Sequence, residues 1–244
     1  MKVAFLGATK GMGRALARLL AERGDTLCLL GRDARELERS ASDLAARGTA
    51  PVRTAPCDLE RPESFAPALE SAEQVLGGLD LVVVTAGLFA TQAALESDRE
   101  LARRVLQVNF TGTILFCEAA RERLLARGGG TLCVFSSVAG ERGRKPVVIY
   151  GATKAGLSQY LEGLDHKFRA QGLKTICVKP GFVKTGMTAG LKPPPFAGEP
   201  GAIAQRVLRA IDRGTPVVYA PPMWALIMIV IRSLPRRVMR KISF

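Results

Sequence analysis

Tryptophan and histidine each occur once in the 244 residues, tyrosine three times, and aromatic residues make up only 6% of the chain. A single-stranded nucleic-acid surface interleaves aromatic with basic side chains. The basic excess here (35 Lys+Arg against 22 Asp+Glu, net +13) is spread over stretches such as "GRDARELER" and reads as solvated helix faces, so no nucleic-acid partner is expected. The five cysteines, Cys28, Cys57, Cys117, Cys133 and Cys177, include no C-x-x-C pair and have no His-rich partner segment. That excludes a zinc site of the usual spacing, and no other metal constellation is evident. They read as small buried hydrophobes in a reducing compartment. The single histidine, His166, reads as a surface or packing residue. No apolar run approaches the roughly 20 residues that cross a bilayer. The opening "MKVAFLGATKGMG" has too few apolar residues for a secretory signal, so a cytoplasmic location is expected.

What the chain does have is alternation. The runs "KVAFL", "TLCLL", "PVRTA", "LDLVVV", "GTLCVFS", "LKTICVK" and "TPVVYA" are short, apolar and rich in β-branched residues. Between most of them lie segments of helical spacing, including Arg14 to Arg23, Ala34 to Arg47 and Gln159 to Ala170. This order predicts an α/β fold, a doubly wound sheet of about seven parallel strands with about six helices on its two faces. At 48% hydrophobic and 23% charged the chain can bury a full core, and one domain over residues 1–221 is the expectation. The segment "KTGMTAGLKPPPFAGEP", residues 184–200, has three consecutive prolines and poor periodicity. A long irregular loop in a compact domain is usually functional, which makes it a candidate substrate lid.

The first strand runs into "GATKGMGRALARLLAERG", with Gly7, Gly11 and Gly13 at the strand-to-helix turn. Such a turn lets backbone N–H groups and a helix N-terminus approach a pyrophosphate, as in Rossmann-type sheets. The spacing is G-x-x-x-G-x-G, not the commoner G-x-G-x-x-G fingerprint. At the end of the second strand, where a carboxylate would accept the ribose 2′-OH of NAD(H), stand Gly31 and Arg32, and Lys10 lies inside the glycine loop. Two cations suit a 2′-phosphate, so NADP(H) is the expected cofactor, with Asp33 capping the next helix.

Further along come Asn109 in "VLQVNFTGT", Ser137 in "CVFSSVAG" and, thirteen residues later, Tyr150 and Lys154 in "IYGATKAGL". The last pair would share one helix face. Taken singly, each has an ordinary structural role. In order with "GATKGMG", "CDL", "TAG" and "KPGFVKTGM", they resemble the short-chain dehydrogenase/reductases from Lys2 to about Tyr219. That resemblance implies hydride transfer between a nicotinamide and a carbonyl or alcohol. Tyr150 would pass the proton, Ser137 bind the reacting oxygen, Lys154 hold the nicotinamide ribose, and Asn109 continue the proton line toward solvent. Lys154, at about 4 Å and helped by the positive nicotinamide of the oxidised complex, would lower the tyrosine pKa from its ordinary value near 10 by about 3 units. The resemblance further implies cofactor contacts from Gly7, Thr9, Lys10, Gly11, Met12, Gly13, Arg32, Asp58, Leu59, Ala86 and Gly87. It adds Pro180, Gly181, Val183 and Thr185 beside the nicotinamide amide, and homo-oligomers. Thr85 departs from the family's usual Asn, which leaves the local bracing of the central strand open.

Residues 222–244 form an apolar and basic extension. Nine apolar residues, Met223 to Ile231, precede Arg232, Arg236, Arg237, Arg240 and Lys241, with no acid after Asp212. As helix the apolar run spans about 14 Å. It could lie in the interface of an anionic membrane, at the inner face of the cell membrane, with Trp224 as an anchor; packing in the core or in a dimer contact is the alternative. This tail and the Ser–Tyr region resemble reductases of lipid-linked substrates, the decaprenylphosphoryl-2-keto-pentose reductases and, less closely, the ketosphinganine reductases. The leading expectation is therefore an NADPH-dependent reductase of a small or lipid-linked carbonyl. Two alternatives stand beside it: an NAD-dependent alcohol dehydrogenase working oxidatively, and an NADPH-binding sensor or scaffold without turnover.

Overall fold

The computed structural model describes every residue except 49, 191, 195, 243 and 244; Pro195 of the triple proline and the last two residues of the tail thus lie outside the described residues. Seven strands are present: β1 (Lys2–Leu6), β2 (Thr26–Gly31), β3 (Val52–Pro56), β4 (Leu81–Val84), β5 (Gly130–Phe135), β6 (Leu173–Pro180) and β7 (Val217–Ala220). They form one sheet in the order β3-β2-β1-β4-β5-β6-β7, parallel at every pairing. Strand order reverses between β1 and β4, and the crevice at the strand ends of such a reversal is where ligands bind in doubly wound sheets.

The helices are α1 (Gly11–Glu22), α2 (Ala34–Ala45), α3 (Phe65–Leu76), α4 (Gln92–Ser97), α5 (Arg99–Leu106), α6 (Thr113–Ala126), α7 (Val148–Phe168), α8 (Pro200–Arg213), α9 (Met223–Ser233) and α10 (Arg236–Met239). That is more than the six read from periodicity, because α4, α5 and α10 are too short to show a repeat. α1 also starts three residues earlier than Arg14, since the last two loop glycines already belong to its first turn. α7 begins at Val148, eleven residues before the periodic segment.

Side-chain alternation along the strands builds two cores. Ala4, Leu6, Cys28, Leu30, Val82 and Val84 face one side, where Leu69 of α3, Phe116 of α6 and Leu157 of α7 cover them. Val3, Phe5, Leu27, Leu29, Leu81 and Val83 face the other, under Leu16 and Leu20 of α1, Leu37 of α2 and Val207 of α8. All five thiols are free and buried, and burial pushes each of them above its ordinary pKa.

Between α5 and α6 the chain makes a π-helical turn, Gln107–Gly112. The Thr113 hydroxyl donates to the Val108 carbonyl at 2.7 Å within it. Turns of this kind recur at functional sites because the extra residue re-aims a side chain. Here that side chain is Asn109. Among the described residues, no helix is long and apolar enough to cross a membrane.

Candidate active site

The glycine loop builds the first wall. Gly7 has φ +99°, and a Cβ on it would lie 2.5 Å from the Ala86 nitrogen. A Cβ on Gly13 would lie 2.2 Å from the Gly7 carbonyl oxygen. Only glycine allows this fold-back. The Thr85 hydroxyl donates to the Gly7 carbonyl at 2.8 Å, so the threonine that replaces the family's asparagine still ties β4 to the loop. α1 has no side-chain cap and no acid in its first turn, which leaves N–H groups and the positive end of the helix for an anion.

A cleft of about 420 Å³ opens here. Gly7, Thr9, Lys10, Gly11, Met12, Gly13, Arg32, Asp58, Leu59, Ala86, Gly87 and Thr185 all line it. Pro180, Gly181 and Val183 stand apart from its lining, on the end of β6 and the segment after it. The geometry fits a dinucleotide's adenosine and pyrophosphate: glycine backbone where phosphates would lie, Asp58 at the far wall, and cations at the β2 end. Arg32 also lies 3.6 Å from Glu60, which holds Arg104 through two hydrogen bonds. Asp33 accepts from the Glu36 N–H at 3.1 Å and caps α2. One of its carboxylate oxygens is thereby engaged by the helix, and Asp33 also lines the cleft, as does Glu36.

The residues expected to carry the proton chemistry, Asn109, Ser137, Tyr150 and Lys154, stand apart from the lining of this cleft. Ser137 follows β5 and opens a tight turn, Val138–Gly140, its hydroxyl accepting from the Ala139 N–H at 3.1 Å. That turn lies directly on α7: a Cβ at Gly140 would sit 2.5 Å from the Lys154 backbone carbon. The close approach sets Ser137 beside Tyr150, whose phenol it pulls slightly toward the ionised form, while the Ser137 hydroxyl donates to the Pro180 carbonyl at 3.4 Å. The Tyr150 ring is held edge-on by Phe89, with centroids 5.1 Å apart. The start of α7 is served by Gln92, which accepts from the Ile149 N–H at 3.2 Å. Lys154 reaches across to donate to the Phe135 carbonyl at 2.9 Å. Asn109 Oδ1 and Lys154 Nζ both lie over Gly87, 3.1 and 3.8 Å from where its Cβ would be.

Burial governs the titration of this group. Lys154 alone does not bring the tyrosine below its ordinary value: its ammonium lies 5.8 Å from the ring centroid of Tyr150, and burial pushes Tyr150 up to about 12 against a smaller downward pull from Ser137. Burial also brings Lys154 down to about 8. Desolvation of both groups outweighs their attraction. The Asn109 side-chain amide is engaged with the loop after β4. It accepts from the Leu88 N–H and donates to the Leu88 carbonyl, each at 2.7 Å, so its visible work is to fix the loop after β4 beside Lys154.

The structure adds residues that spacing did not reveal. Glu141, four residues after Ser137, is almost fully buried and receives Lys179 Nζ at 2.6 Å and the Tyr219 hydroxyl at 2.8 Å. These bonds clamp the Ser137 turn to the ends of β6 and β7. Trp224 turns inward, its indole on Gly181, where a Cβ would meet Nε1 at 1.9 Å. It packs with Val138, Met228 and Ile231, so it is not the membrane anchor expected of it; the gap over Gly181 takes the large ring.

A phenol and a serine side by side near a glycine cradle, at the switch point of a parallel sheet, are the parts of a dinucleotide-dependent oxidoreductase. Comparison with known proteins is consistent: the chain belongs to the short-chain dehydrogenase/reductase family, whose model, described as short chain dehydrogenase, matches residues 2–195. An uncharacterized oxidoreductase of Streptomyces coelicolor is 37% identical over 247 residues, covering 97% of this chain and 94% of the relative. Another, from Mycobacterium tuberculosis (strain ATCC 25618 / H37Rv), is 32% identical over 241 residues, covering 98% and 96%. Among solved structures, a short-chain dehydrogenase from Sphingobium yanoikuyae in complex with NADPH superposes with a TM-score of 0.83 at 24% identity, covering 100% of this chain and 97% of that one. The protein is thus an oxidoreductase of a family that uses NAD(P).

The Gly140 contact generates a prediction. Gly140→Ala should force the Ser137 turn away from α7 and lower kcat by about 10²-fold, the scale of an ångström of misplacement. Cofactor affinity, read by fluorescence titration, should stay as in the wild type.

Proposed function

We propose that the protein is an NADPH-dependent reductase of a ketone on a lipophilic, lipid-linked substrate. The observation that carries the reaction is the seating of the Ser137 turn on α7, which sets Ser137 beside Tyr150 with the Lys154 ammonium 5.8 Å from its ring centroid. The bound nicotinamide supplies the hydride. Ser137 donates a hydrogen bond to the carbonyl oxygen as charge gathers there. Tyr150, held protonated by its burial, gives that oxygen its proton. The Lys154 ammonium, 5.8 Å from the Tyr150 ring centroid, is the cation placed to meet the phenolate left behind. Asn109 and Glu141 position this group through Leu88 and through Lys179 and Tyr219.

Preference for the 2′-phosphate is supported by Lys10 and Arg32 on the cleft wall and by Asp33 being engaged as a helix cap. A lipophilic substrate is supported by the segment proposed as a lid. Val183 pairs with Gly198 across it, Thr185, Gly186 and Met187 border the cleft, and Met187 and Phe196 are exposed apolar side chains on it.

Tyr150→Phe should retain cofactor binding and lose about 10²–10⁴-fold in turnover of any ketone that the wild type reduces; retained turnover would refute the assignment. Arg32→Ala should weaken NADPH by about 10- to 100-fold, from the roughly 1.5–3 kcal/mol of a hydrogen bond to a charged group, and leave NADH nearly unchanged in the same titration. For reduction, kcat/KM should be level on the acid side and fall as pH rises through about 8. There Lys154 loses its proton while Tyr150 still holds its own, and a pH–rate profile checks the direction.

A further inference from the structure

The inner face of α9 is fastened to the turn that follows Ser137. Met228 and Ile231 pack on Val138, the Arg142 guanidinium donates to the Leu234 carbonyl at 2.6 Å, and Arg232 lies 3.8 Å from Glu141. The outer face has no such cover. Leu226, Val230 and Ile229 are 68%, 62% and 56% exposed, and Met223 and Val238 are exposed as well. Met223, Leu226, Ile229 and Val230 recur at three- and four-residue intervals, one stripe along α9, and Val238 adds an exposed apolar side chain on α10. Beyond its end, Arg236, Arg237, Arg240 and Lys241 are all exposed, and no acidic residue follows Asp212.

From this apolar stripe with a collar of one charge we infer that α9 and α10 dock the protein on an anionic lipid surface, with the active-site turn facing the bilayer across one helix diameter. Charge complementarity selects the occupant. A second copy of the chain, seated face to face by a two-fold axis, would bring each collar against an identical one. An anionic headgroup layer attracts every one of these cations and accepts the stripe beneath them. At 11 residues, α9 spans about 16 Å at 1.5 Å per residue, so it lies along the surface and does not cross it. Because the inner contacts run to Val138, Glu141 and Arg142, docking also sets the orientation of the site. The end of the proposed lid reaches the same place, since a Cβ on Gly198 would lie 3.0 Å from the Pro221 ring. The inference deepens the reductase reading by saying where the lipid-linked carbonyl is met, yet it rests on surface residues that the reaction does not use.

The test is co-sedimentation of the full chain with vesicles of phosphatidylcholine alone or mixed with phosphatidylglycerol. Alongside the wild type go Leu226→Asp/Val230→Asp and Arg236→Glu/Arg237→Glu, each checked for fold by circular dichroism and for oligomeric state by size exclusion. The wild type should bind the mixed vesicles, less at high salt, and each variant should bind roughly tenfold or more weakly. Reduction of a short water-soluble ketone should be unchanged in both variants. No binding of the wild type to anionic vesicles, equal binding by Leu226→Asp/Val230→Asp, or a change of oligomeric state in place of a change of vesicle binding would overturn the inference. If no ketone is reduced but vesicle binding follows this pattern, the reductase reading fails and the docking surface stands.

Discussion

The seating of the Val138–Gly140 turn on the second turn of α7 is the constraint from which the site follows. With no side chain at Gly140, two backbones meet at a distance that any Cβ would forbid. Ser137, from the end of a strand, and Tyr150, from a helix, are thereby set side by side. Around this pair the other polar groups act as bracing. Glu141 ties the turn to β6 and β7, Asn109 ties the loop after β4, and the Phe135 carbonyl fixes the Lys154 ammonium. The phenol is therefore placed by the sheet and only secondarily by its lysine neighbour.

Burial sets the chemistry of the pair. Water is withdrawn from both Tyr150 and Lys154, and each is pushed toward its neutral form. A neutral phenol is what a proton donor to a carbonyl requires. An ammonium whose charge is already marginal responds strongly to any negative charge that develops nearby, which the phenolate of the reductive step provides. The same desolvation that appears costly in isolation makes the pair responsive to the reaction.

Much of this was legible in the residues. A parallel strand covered on both faces reads as an unbroken apolar run, and all seven runs are strands. The glycine loop was legible because its spacing breaks the strand-to-helix rhythm at one place. The start of α7 was not: Ile149, Tyr150 and Gly151 precede any amphipathic repeat, and the helix is held there by Gln92 and by the Ser137 turn. Glu141 was invisible because its partners lie 38 and 78 residues away. Trp224 looked like an interfacial aromatic from its neighbours in sequence, but the space above Gly181 is a property of the folded chain alone. The strength of the tyrosine–lysine coupling also escaped spacing, which gives the face of a helix and not the depth of burial.

The buried sulfurs carry a last consequence. Every cysteine sits in the core with its proton held more tightly than in water, and the thiolate is the form that peroxides attack. None of the residues proposed for the reaction is a thiol, and the packing that keeps the five sulfurs dry also holds them away from that reactive form.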